Sequence, residues 1–228
     1  MEQSQIWRYF QQHAPGTFDN STPRLDYVCR LLRRGSTILN VGIGGAILER
    51  LASARGMRVV TIDPDPPSLL RCAGHSSGVA GRIDALPFAP GSFDAVVASE
   101  VLEHLGDEVL RPGLGEIARV LRPGGRFIGT VPAEEPLEDG LTVCPDCGHR
   151  FHRWGHVQSF SARRLNELLS ASFAVDRLTN YAFMAKPRST AWTRALGAVR
   201  NALVQSGILT RERKWVFVAV AHPGRRAG

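Results

Sequence analysis

The sequence predicts an α/β protein in which helices cover both faces of a mostly parallel sheet. Three observations predict this fold. Short apolar runs alternate with amphipathic segments of helical spacing, the first run ends in a glycine turn, and 228 residues suit one domain with insertions. The strands are expected at 36–41, 57–62, 93–99, 126–131, 173–178 and 215–221. The helices are expected at 3–12, 25–32, 46–55, 109–121 and 161–170.

Three segments stand outside this alternation within the single domain 1–228. Residues 1–35 form an N-terminal helical cap, residues 133–158 an insertion rich in Pro, Gly, Cys and His, and residues 185–213 a basic amphipathic insertion before the last strand. Such insertions carry specificity more often than core elements do. No apolar run reaches the roughly 18 residues of a membrane-spanning helix. The N-terminus also lacks a secretory signal pattern, so we expect a cytoplasmic protein.

The net charge of +7 is concentrated toward the C-terminus, where nine basic residues and one acid lie from Phe183 onward. A solvated basic surface is the favoured interpretation, and an anionic partner such as a phosphorylated substrate, anionic lipid or nucleic acid is the alternative. Four apolar residues in this region have helical spacing: Trp192, Leu196, Val199 and Leu203. They predict a helix packed on the domain or on a second subunit of a homodimer. The alternative is a peripheral membrane contact.

A glycine turn, Val41-Gly42-Ile43-Gly44-Gly45, follows the first strand. Glycines let the backbone turn tightly and let a ligand approach it closely. Asp63 closes the second strand, 21 residues after Gly42, where an acid can accept hydrogen bonds from both hydroxyls of a ribose. The alternative for Asp63 is a helix cap or turn residue. Two further motifs follow in order, GRIDALPF at 81–88 and VLRPGGRF at 120–127.

The order and spacing of these motifs resemble class I S-adenosylmethionine-dependent methyltransferases, in particular the ubiquinone and menaquinone biosynthesis branch, over residues 36–131. The resemblance implies a Rossmann-like sheet of seven strands with an antiparallel last strand, and S-adenosylmethionine as cofactor. It also implies that Gly42 and Gly44 lie beneath the methionine part of the cofactor and that Asp63 binds the ribose. Asp84 would accept a hydrogen bond from the adenine amino group, with the Ala85 backbone near the ring.

The chain departs from the family pattern at two positions of the glycine turn. Asn40 stands where the family usually has an acid, and Ala46 where it often has a third glycine. Asn40 can accept a hydrogen bond but lacks the charge that would attract the methionine ammonium. We therefore count Asn40 among the cofactor-binding residues, and two consequences stay open: a lower cofactor affinity, or another acid in the same role.

An acid–histidine motif follows the strand at 93–99, at the sheet edge where ligands bind in such folds. Glu100, Glu103 and His104 share one face if the segment is helical. Two carboxylates and an imidazole can bind Mg²⁺ or another divalent metal, which would lower the pKa of a substrate hydroxyl. The spacing resembles that of ubiquinone-pathway O-methyltransferases and small-RNA 2′-O-methyltransferases, where it holds a metal. We take Glu100 and His104 as catalytic candidates, with His104 as a base. The favoured alternative is a helix cap beside the cofactor without a metal.

The insertion at 133–158 contains the spacing C-x₂-C-x₄-H-x₃-H. Cys144 and Cys147 can place two thiolates on one ion, and His152 and His156 can complete the tetrahedron that Zn²⁺ prefers. The motif resembles a zinc knuckle and predicts a structural zinc, with His149 as a spare ligand. A redox pair or free thiols is the alternative.

Together these features predict a methyltransferase that acts on a small-molecule, sugar or lipid-linked acceptor at a hydroxyl. An RNA or DNA methyltransferase is an alternative suggested by the basic end and the knuckle, but the sequence lacks the interleaved aromatic and basic residues of a nucleic-acid platform. A cofactor-binding protein without catalytic activity is the third interpretation, and Asn40 is its best support.

Overall fold

The computed structural model describes residues 3–183, 191–206, 208 and 213–222. The strands are β1 Thr37–Val41, β2 Arg58–Asp63, β3 Ser77–Ala80, β4 Phe93–Ser99, β5 Leu121–Pro132, β6 Leu141–Val143, β7 Arg150–His152, β8 Phe173–Ala182 and β9 Arg213–Ala221. The α-helices are α1 Gln3–His13, α2 Thr22–Leu31, α3 Ile47–Ser53, α4 Asp107–Val120, α5 Ala162–Ser170 and α6 Ala191–Gln205.

Seven strands form one sheet in the order β3-β2-β1-β4-β5-β9-β8. The first five strands in this order form four parallel pairs, and β9 pairs antiparallel with both β5 and β8. The predicted fold class, including the antiparallel last strand, is confirmed. Strand β3 was not predicted, because this edge strand has four mostly exposed residues and no apolar run.

The core lies on both faces of the sheet. Neighbouring strand residues alternate between the two faces: Leu39 and Val96 pack in the cluster that contains α4 and α5, whereas Ile38 and Val97 pack in the cluster that contains α2 and α3. Near-continuous apolar strands are expected when a parallel sheet is covered on both sides. This packing fixes the carboxyl ends of β1, β2 and β4 at one edge of the sheet.

Two helix boundaries illustrate what local signals can specify. Ser161 caps α5 as predicted, because its hydroxyl accepts the N–H of Arg164 at 3.2 Å. Helix α4 begins at Asp107, two residues before the predicted start, so Pro112 lies beyond the first turn to which the sequence analysis assigned it. Its side chain is exposed there.

The predicted segments differ in how much of them the structure describes. The insertion 133–158 contains a separate two-stranded hairpin, β6–β7, that the sequence analysis did not predict. Helix α6 occupies much of the predicted insertion 185–213, of which residues 185–190, 207 and 209–212, and the side chain of Trp192, lie outside the described residues. In the described part of the chain, no helix has the length and apolar character needed to traverse a membrane.

Candidate active site

A cavity of about 360 Å³ lies at the carboxyl ends of β1 and β2. This is the edge at which doubly wound parallel sheets bind ligands. The residues that line it come from the glycine turn, the loops after β2 and β3, the segment after β4 and the N-terminal helix α1; they include Val41, Gly42, Asp63, Asp84, His104, Trp7 and Gln11. The structure thus brings several of the predicted cofactor residues to one cavity.

Gly42 borders the cavity in a left-handed conformation, with φ of +82°. Its N–H donates to the Ile62 carbonyl at 2.8 Å, and a Cβ at this position would lie 3.1 Å from the Val101 side chain. A side chain would therefore be strained and would crowd the cavity wall. Gly44 also has a positive φ, of +49°, but the Phe18 ring lies over it, 3.6 Å from where a Cβ would stand.

Asn40 is buried and does not line the cavity. Its amide donates to the Gly42 carbonyl at 3.0 Å and to Oε1 of Glu49 at 2.7 Å. The same carboxylate oxygen accepts the Thr61 hydroxyl at 2.6 Å. Glu49 is fully buried, and burial raises the pKa of its carboxyl. An acid of α3 thus lies directly behind Asn40, and sequence reasoning missed it because it is nine positions away and belongs to another element.

Asp63 presents a buried carboxylate to the cavity. It accepts backbone N–H groups from Ile43 at 3.0 Å and Asp65 at 2.9 Å, and the Gln11 amide at 3.4 Å. Burial nevertheless raises the pKa of Asp63. These donors hold its oxygens at the cavity wall, as hydrogen bonding to ribose hydroxyls would require.

Asp84 also lines the cavity, and Arg82 donates two hydrogen bonds of 2.9 Å each to its carboxylate. This hydrogen-bonded ion pair lowers the pKa of Asp84. Ala85, expected to lie near the adenine, donates its N–H to the Arg82 carbonyl at 3.2 Å and does not line the cavity. Ile83 lines it instead.

Helix α1 covers the cavity, a role that sequence reasoning did not assign to it. Trp7 and Gln11 are four residues apart and both line the cavity. Gln11 joins α1 to the cavity wall, since it donates to Asp63 and accepts the Ser68 hydroxyl. The Trp7 ring stands edge-on to the His104 ring with centroids 4.1 Å apart. The helical spacing of these two side chains was the available signal.

Glu100 is separated from the group it was predicted to join. It has a φ of +58°, and its carboxylate contacts Lys214, Arg24 at 3.3 Å and the Thr130 hydroxyl at 3.0 Å. Burial would raise the pKa of Glu100, but Lys214 and Arg24 outweigh it and lower the pKa to about 2. The carboxylate of Glu100 is paired with two cations, which makes it a poor proton acceptor and a poor metal ligand.

Glu103 and His104 instead meet His156, and one ligand atom from each lies within 4.8 Å of the others. This Glu103–His104–His156 group corrects the predicted trio in one member, with His156 in place of Glu100. Glu103 is completely buried, and no donor among the described residues reaches either of its carboxylate oxygens. Burial, together with the nearby Glu100, raises its pKa well above the usual value. Buried carboxylates are normally paired or bound to metals, so this orphaned carboxylate suits a cation.

Backbone hydrogen bonds bring the group together. The carbonyl of Glu103 accepts the N–H groups of Val157 at 2.9 Å and Gln158 at 3.4 Å. These bonds join the end of the insertion to the short 3₁₀ turn at Leu102–His104. His104 and His156, 52 positions apart, consequently have ring centroids 4.7 Å apart.

The hydrogen bonds of the histidines indicate which nitrogens are available to an ion. Nδ1 of His104 lies 3.1 Å from the Gly155 carbonyl, which can only accept, so Nδ1 carries the proton and Nε2 the lone pair. Nδ1 of His156 contacts Glu135 at 2.5 Å, which likewise leaves Nε2 free. A carboxylate or carbonyl behind a histidine is the usual arrangement around metal-binding imidazoles. Burial and His156 lower the pKa of His104 to about 3, so the imidazole is neutral near pH 7.

His152 differs from these two histidines. Its Nδ1 accepts the N–H of His156 at 3.1 Å, so the lone pair is used by the backbone and the proton is on Nε2. Nε2 lies against Gly140 and has no hydrogen-bond partner among the described residues. Glu135, His152 and His156 also form a close group, but His152 can offer it no lone pair without releasing the backbone.

The predicted zinc quartet is not assembled. The register of the hairpin pairs His152 with Leu141, three residues before Cys144. At about 3.3 Å per residue, the cysteines at the tip lie roughly 10 Å along the strands from His152. His152 and His156 face Glu135 instead. Within the described residues, no close group of three or more potential ligands includes either cysteine.

Comparisons with known proteins agree with the prediction that this cavity belongs to a methyltransferase. Residues 39–129 match the model of a family described as a methyltransferase domain. An uncharacterized methyltransferase of Mycobacterium sp. (strain KMS) is 30% identical over 202 residues, which cover 77% of this chain and 75% of the relative. The chain belongs to the S-adenosylmethionine-dependent methyltransferases. The methyl donor is therefore S-adenosylmethionine, and the protein is an enzyme of this class.

Two further similarities are partial or structural. A ubiquinone biosynthesis O-methyltransferase of Xylella fastidiosa (strain M23) is 36% identical over 118 residues, about half of each chain (47%). The crystal structure of the Burkholderia thailandensis 1,6-didemethyltoxoflavin-N1-methyltransferase, with bound 1,6-didemethyltoxoflavin and S-adenosylhomocysteine, has a TM-score of 0.67 at 17% identity and covers 96% of this chain and 87% of that chain. The second similarity establishes the fold alone.

Proposed function

We propose that this methyltransferase transfers the methyl group to a hydroxyl of a small-molecule acceptor, assisted by a divalent ion at Glu103, His104 and His156. The observation that carries the proposal is the orphaned carboxylate of Glu103 beside two histidines, one of which, His104, lines the cofactor cavity. The partial similarity to a ubiquinone biosynthesis O-methyltransferase supports oxygen as the methylated atom.

Glu103, His104 and His156 are suitable ligands for an ion that also binds substrate. Three protein ligands leave coordination positions open, which is typical of catalytic rather than structural sites. A carboxylate with two imidazoles suits divalent ions such as Zn²⁺ or Mn²⁺, and Mg²⁺ would retain more water. Glu135 would hold the His156 ring through its Nδ1–H. When bound, the ion lowers the pKa of a hydroxyl that coordinates it.

The chain's own residues bind and orient the reactants. Asp63 and Asp84 would hold the ribose and the adenine, and the left-handed turn at Gly42 lets the cofactor approach the backbone. Trp7 of α1 lines the cavity beside His104. Because the sulfonium is already reactive, alignment of the acceptor with the methyl group provides much of the rate. We assign Glu100 no direct contact with the reactants, since its carboxylate neutralises Lys214 and Arg24.

The test measures how much S-adenosylhomocysteine the protein produces from S-adenosylmethionine. The protein is first treated with a chelator and then supplied with Mg²⁺, Mn²⁺ or Zn²⁺. Phenols, sugars and amines serve as acceptors. We expect turnover of a hydroxyl acceptor that depends on the ion and is abolished in Glu103→Gln. Calorimetry should show that this variant still binds S-adenosylmethionine but has lost the ion. Glu135→Gln should weaken ion binding by about 10–100-fold, as outer-shell changes do.

His149→Ala is the matched control, because His149 is an exposed histidine of the same insertion. It should bind the ion and turn over acceptors like the wild type. Turnover that resists the chelator, or that occurs with amines alone, would contradict the proposal.

A further inference from the structure

The tip of the β6–β7 hairpin holds two cysteines that the active site does not use. The Cys144 N–H donates to the His149 carbonyl, and the Gly148 N–H donates to the Cys144 carbonyl, both at 2.9 Å. These bonds close a tight turn in which Gly148 has a φ of +69°. The turn begins at Cys144 and contains Cys147, which is exposed.

The turn gives the two cysteines the spacing of a metal-binding turn. They are separated by two residues, Pro145 and Asp146, and cysteines at this spacing can bind one ion through their thiolates. The backbone bonds at Cys144 and Gly148 hold both cysteines in one tight turn at the end of the hairpin. The pair therefore has the spacing and the backbone geometry of a zinc-binding turn.

The chain supplies this turn with two ligands, whereas a structural zinc takes four. Every cysteine and histidine of the sequence lies in the described part of the chain, and none of them forms a close group of three with these thiols. The adjacent His149 ring lies parallel to the Phe151 ring, with centroids 6.4 Å apart. His152 and His156 are at the other end of the hairpin, against Glu135. Two ligands would have to come from outside the chain.

The surroundings of the pair suit an interface between identical chains. Cys147 is exposed, and two apolar side chains on the same hairpin are also exposed, Leu141 by 40% and Val143 by 55%. Apolar surface of this kind is enriched in homodimer interfaces. Most homodimers have twofold symmetry, in which the same patch of each chain meets its counterpart. A twofold axis through an ion at the hairpin tip would bring two identical cysteine pairs together as a Cys₄ set, a common structural zinc site.

We propose that Cys144 and Cys147 form half of a zinc site that is completed by the same two cysteines of a second copy of this chain. The zinc would join the hairpins of a homodimer and hold the 133–158 insertion in shape. This inference does not depend on the proposed ion at Glu103, His104 and His156, which lies at the base of the insertion.

The test measures mass and bound zinc on the full chain, kept reduced and stripped with a chelator. The wild type and Glu103→Gln are both used, because Glu103→Gln removes the acid–histidine group as a competing zinc site. Zinc is then added in steps and mass is followed by sedimentation or light scattering. We expect the mass to double with one zinc per two chains at the hairpin, and the chelator to reverse the doubling.

Three variants make the result specific. Cys144→Ser/Cys147→Ser should remain monomeric and lose zinc affinity by more than the roughly 100-fold of an outer-shell change. Val143→Asp keeps both thiols but charges the apolar flank, so it should weaken the zinc-dependent dimer. His149→Ala is the control on the same turn and should dimerise like the parent.

Several outcomes would overturn the proposal. One zinc per chain at a monomeric mass would mean a closed site within the chain or one that takes its ligands from another partner. Absence of tight zinc binding by the reduced Glu103→Gln protein would mean that there is no zinc site at the hairpin. Dimerisation that persists in the double cysteine variant, or without zinc, would mean that the interface lies elsewhere.

Discussion

The ion pairs of Glu100 allow the sharpest quantitative prediction. Glu100→Gln keeps the size of the side chain and removes its charge, which leaves Lys214 and Arg24 without the carboxylate they share. A carboxyl whose pKa falls from 4.5 to about 2 gains about 3 kcal/mol in the folded state, at about 1.4 kcal/mol per pH unit. Removal of one partner from a fully buried ion pair costs about 3–5 kcal/mol, and these three side chains are only partly buried, with exposures of 15–27%, so the lower end of that range applies. We expect the free energy of unfolding to fall by about 3 kcal/mol at pH 7.

The assay is urea unfolding followed by tryptophan fluorescence, together with thermal unfolding, where the loss corresponds to roughly 6–12 °C in a chain of this size. Because the folded pKa lies below the unfolded one, the stabilisation is complete above pH 4.5 and declines as the pH falls toward 2. The gap between the wild type and Glu100→Gln should therefore shrink to about 1.4 kcal/mol at pH 3. Glu138→Gln, at an exposed glutamate, should change stability by less than about 0.5 kcal/mol. A loss in Glu100→Gln no larger than this control, or a gap that does not narrow in acid, would refute the reasoning.

Three further predictions concern the cofactor site and the insertion. Asn40→Asp restores the acid usual in the family but places a carboxylate 2.7 Å from that of Glu49, so it should destabilise the protein by about 2–3 kcal/mol at pH 7 in denaturant unfolding. Gly140→Ala would place a Cβ 1.7 Å from Nε2 of His152 and should cost about 1–3 kcal/mol of stability in the same assay. Asp63→Asn removes a charged acceptor from the cavity and should weaken S-adenosylmethionine binding in calorimetry by about 10-fold or more.

Each of these predictions has a matched comparison. Asn40→Asp/Glu49→Gln should recover the stability lost in Asn40→Asp, and a double variant no better than the single one would rule out repulsion as the cause. Gly115→Ala, in α4 with open space around its Cβ, should be neutral or stabilising. Equal effects at both glycines would argue against the contact with His152. Asp139→Asn, at an exposed acid, should leave cofactor affinity unchanged.

Local patterns sufficed to predict the fold class and part of the cofactor site. Apolar runs alternating with helical spacing are properties of short segments, and the buried residues of β1 and β4 follow directly from them. Glycine turns and strand ends are also local, so Gly42 and Asp63 could be placed at the cavity without knowledge of distant contacts, whereas Asp84 was implied by the resemblance to methyltransferases. Helix α1 carried the same kind of signal in the spacing of Trp7 and Gln11, but the sequence did not specify which surface that face covers.

The composition of the acid–histidine site was decided by tertiary structure. His156 replaces Glu100 in the group because backbone bonds join residues 157–158 to the carbonyl of Glu103, a contact between segments more than 50 positions apart. Glu49, the buried acid near the glycine turn, also reaches its position through a contact between two elements, since it belongs to α3 and bonds to Asn40 of β1. Spacing along the sequence predicts which side chains share a turn of helix, but it contains no information on which distant segment packs against that turn.

The insertion 133–158 shows most clearly which features the sequence determines and which depend on tertiary structure. The sequence alone determined that Cys144 and Cys147 are separated by two residues and form a pair, since a turn of four residues leaves little freedom. Tertiary structure decided that His152 and His156 do not join them, because the strand pairing of the hairpin places the cysteines at its tip and the histidines at its base beside Glu135. Hydrogen-bond register is set between strands, and a ligand pattern read along one strand cannot specify it.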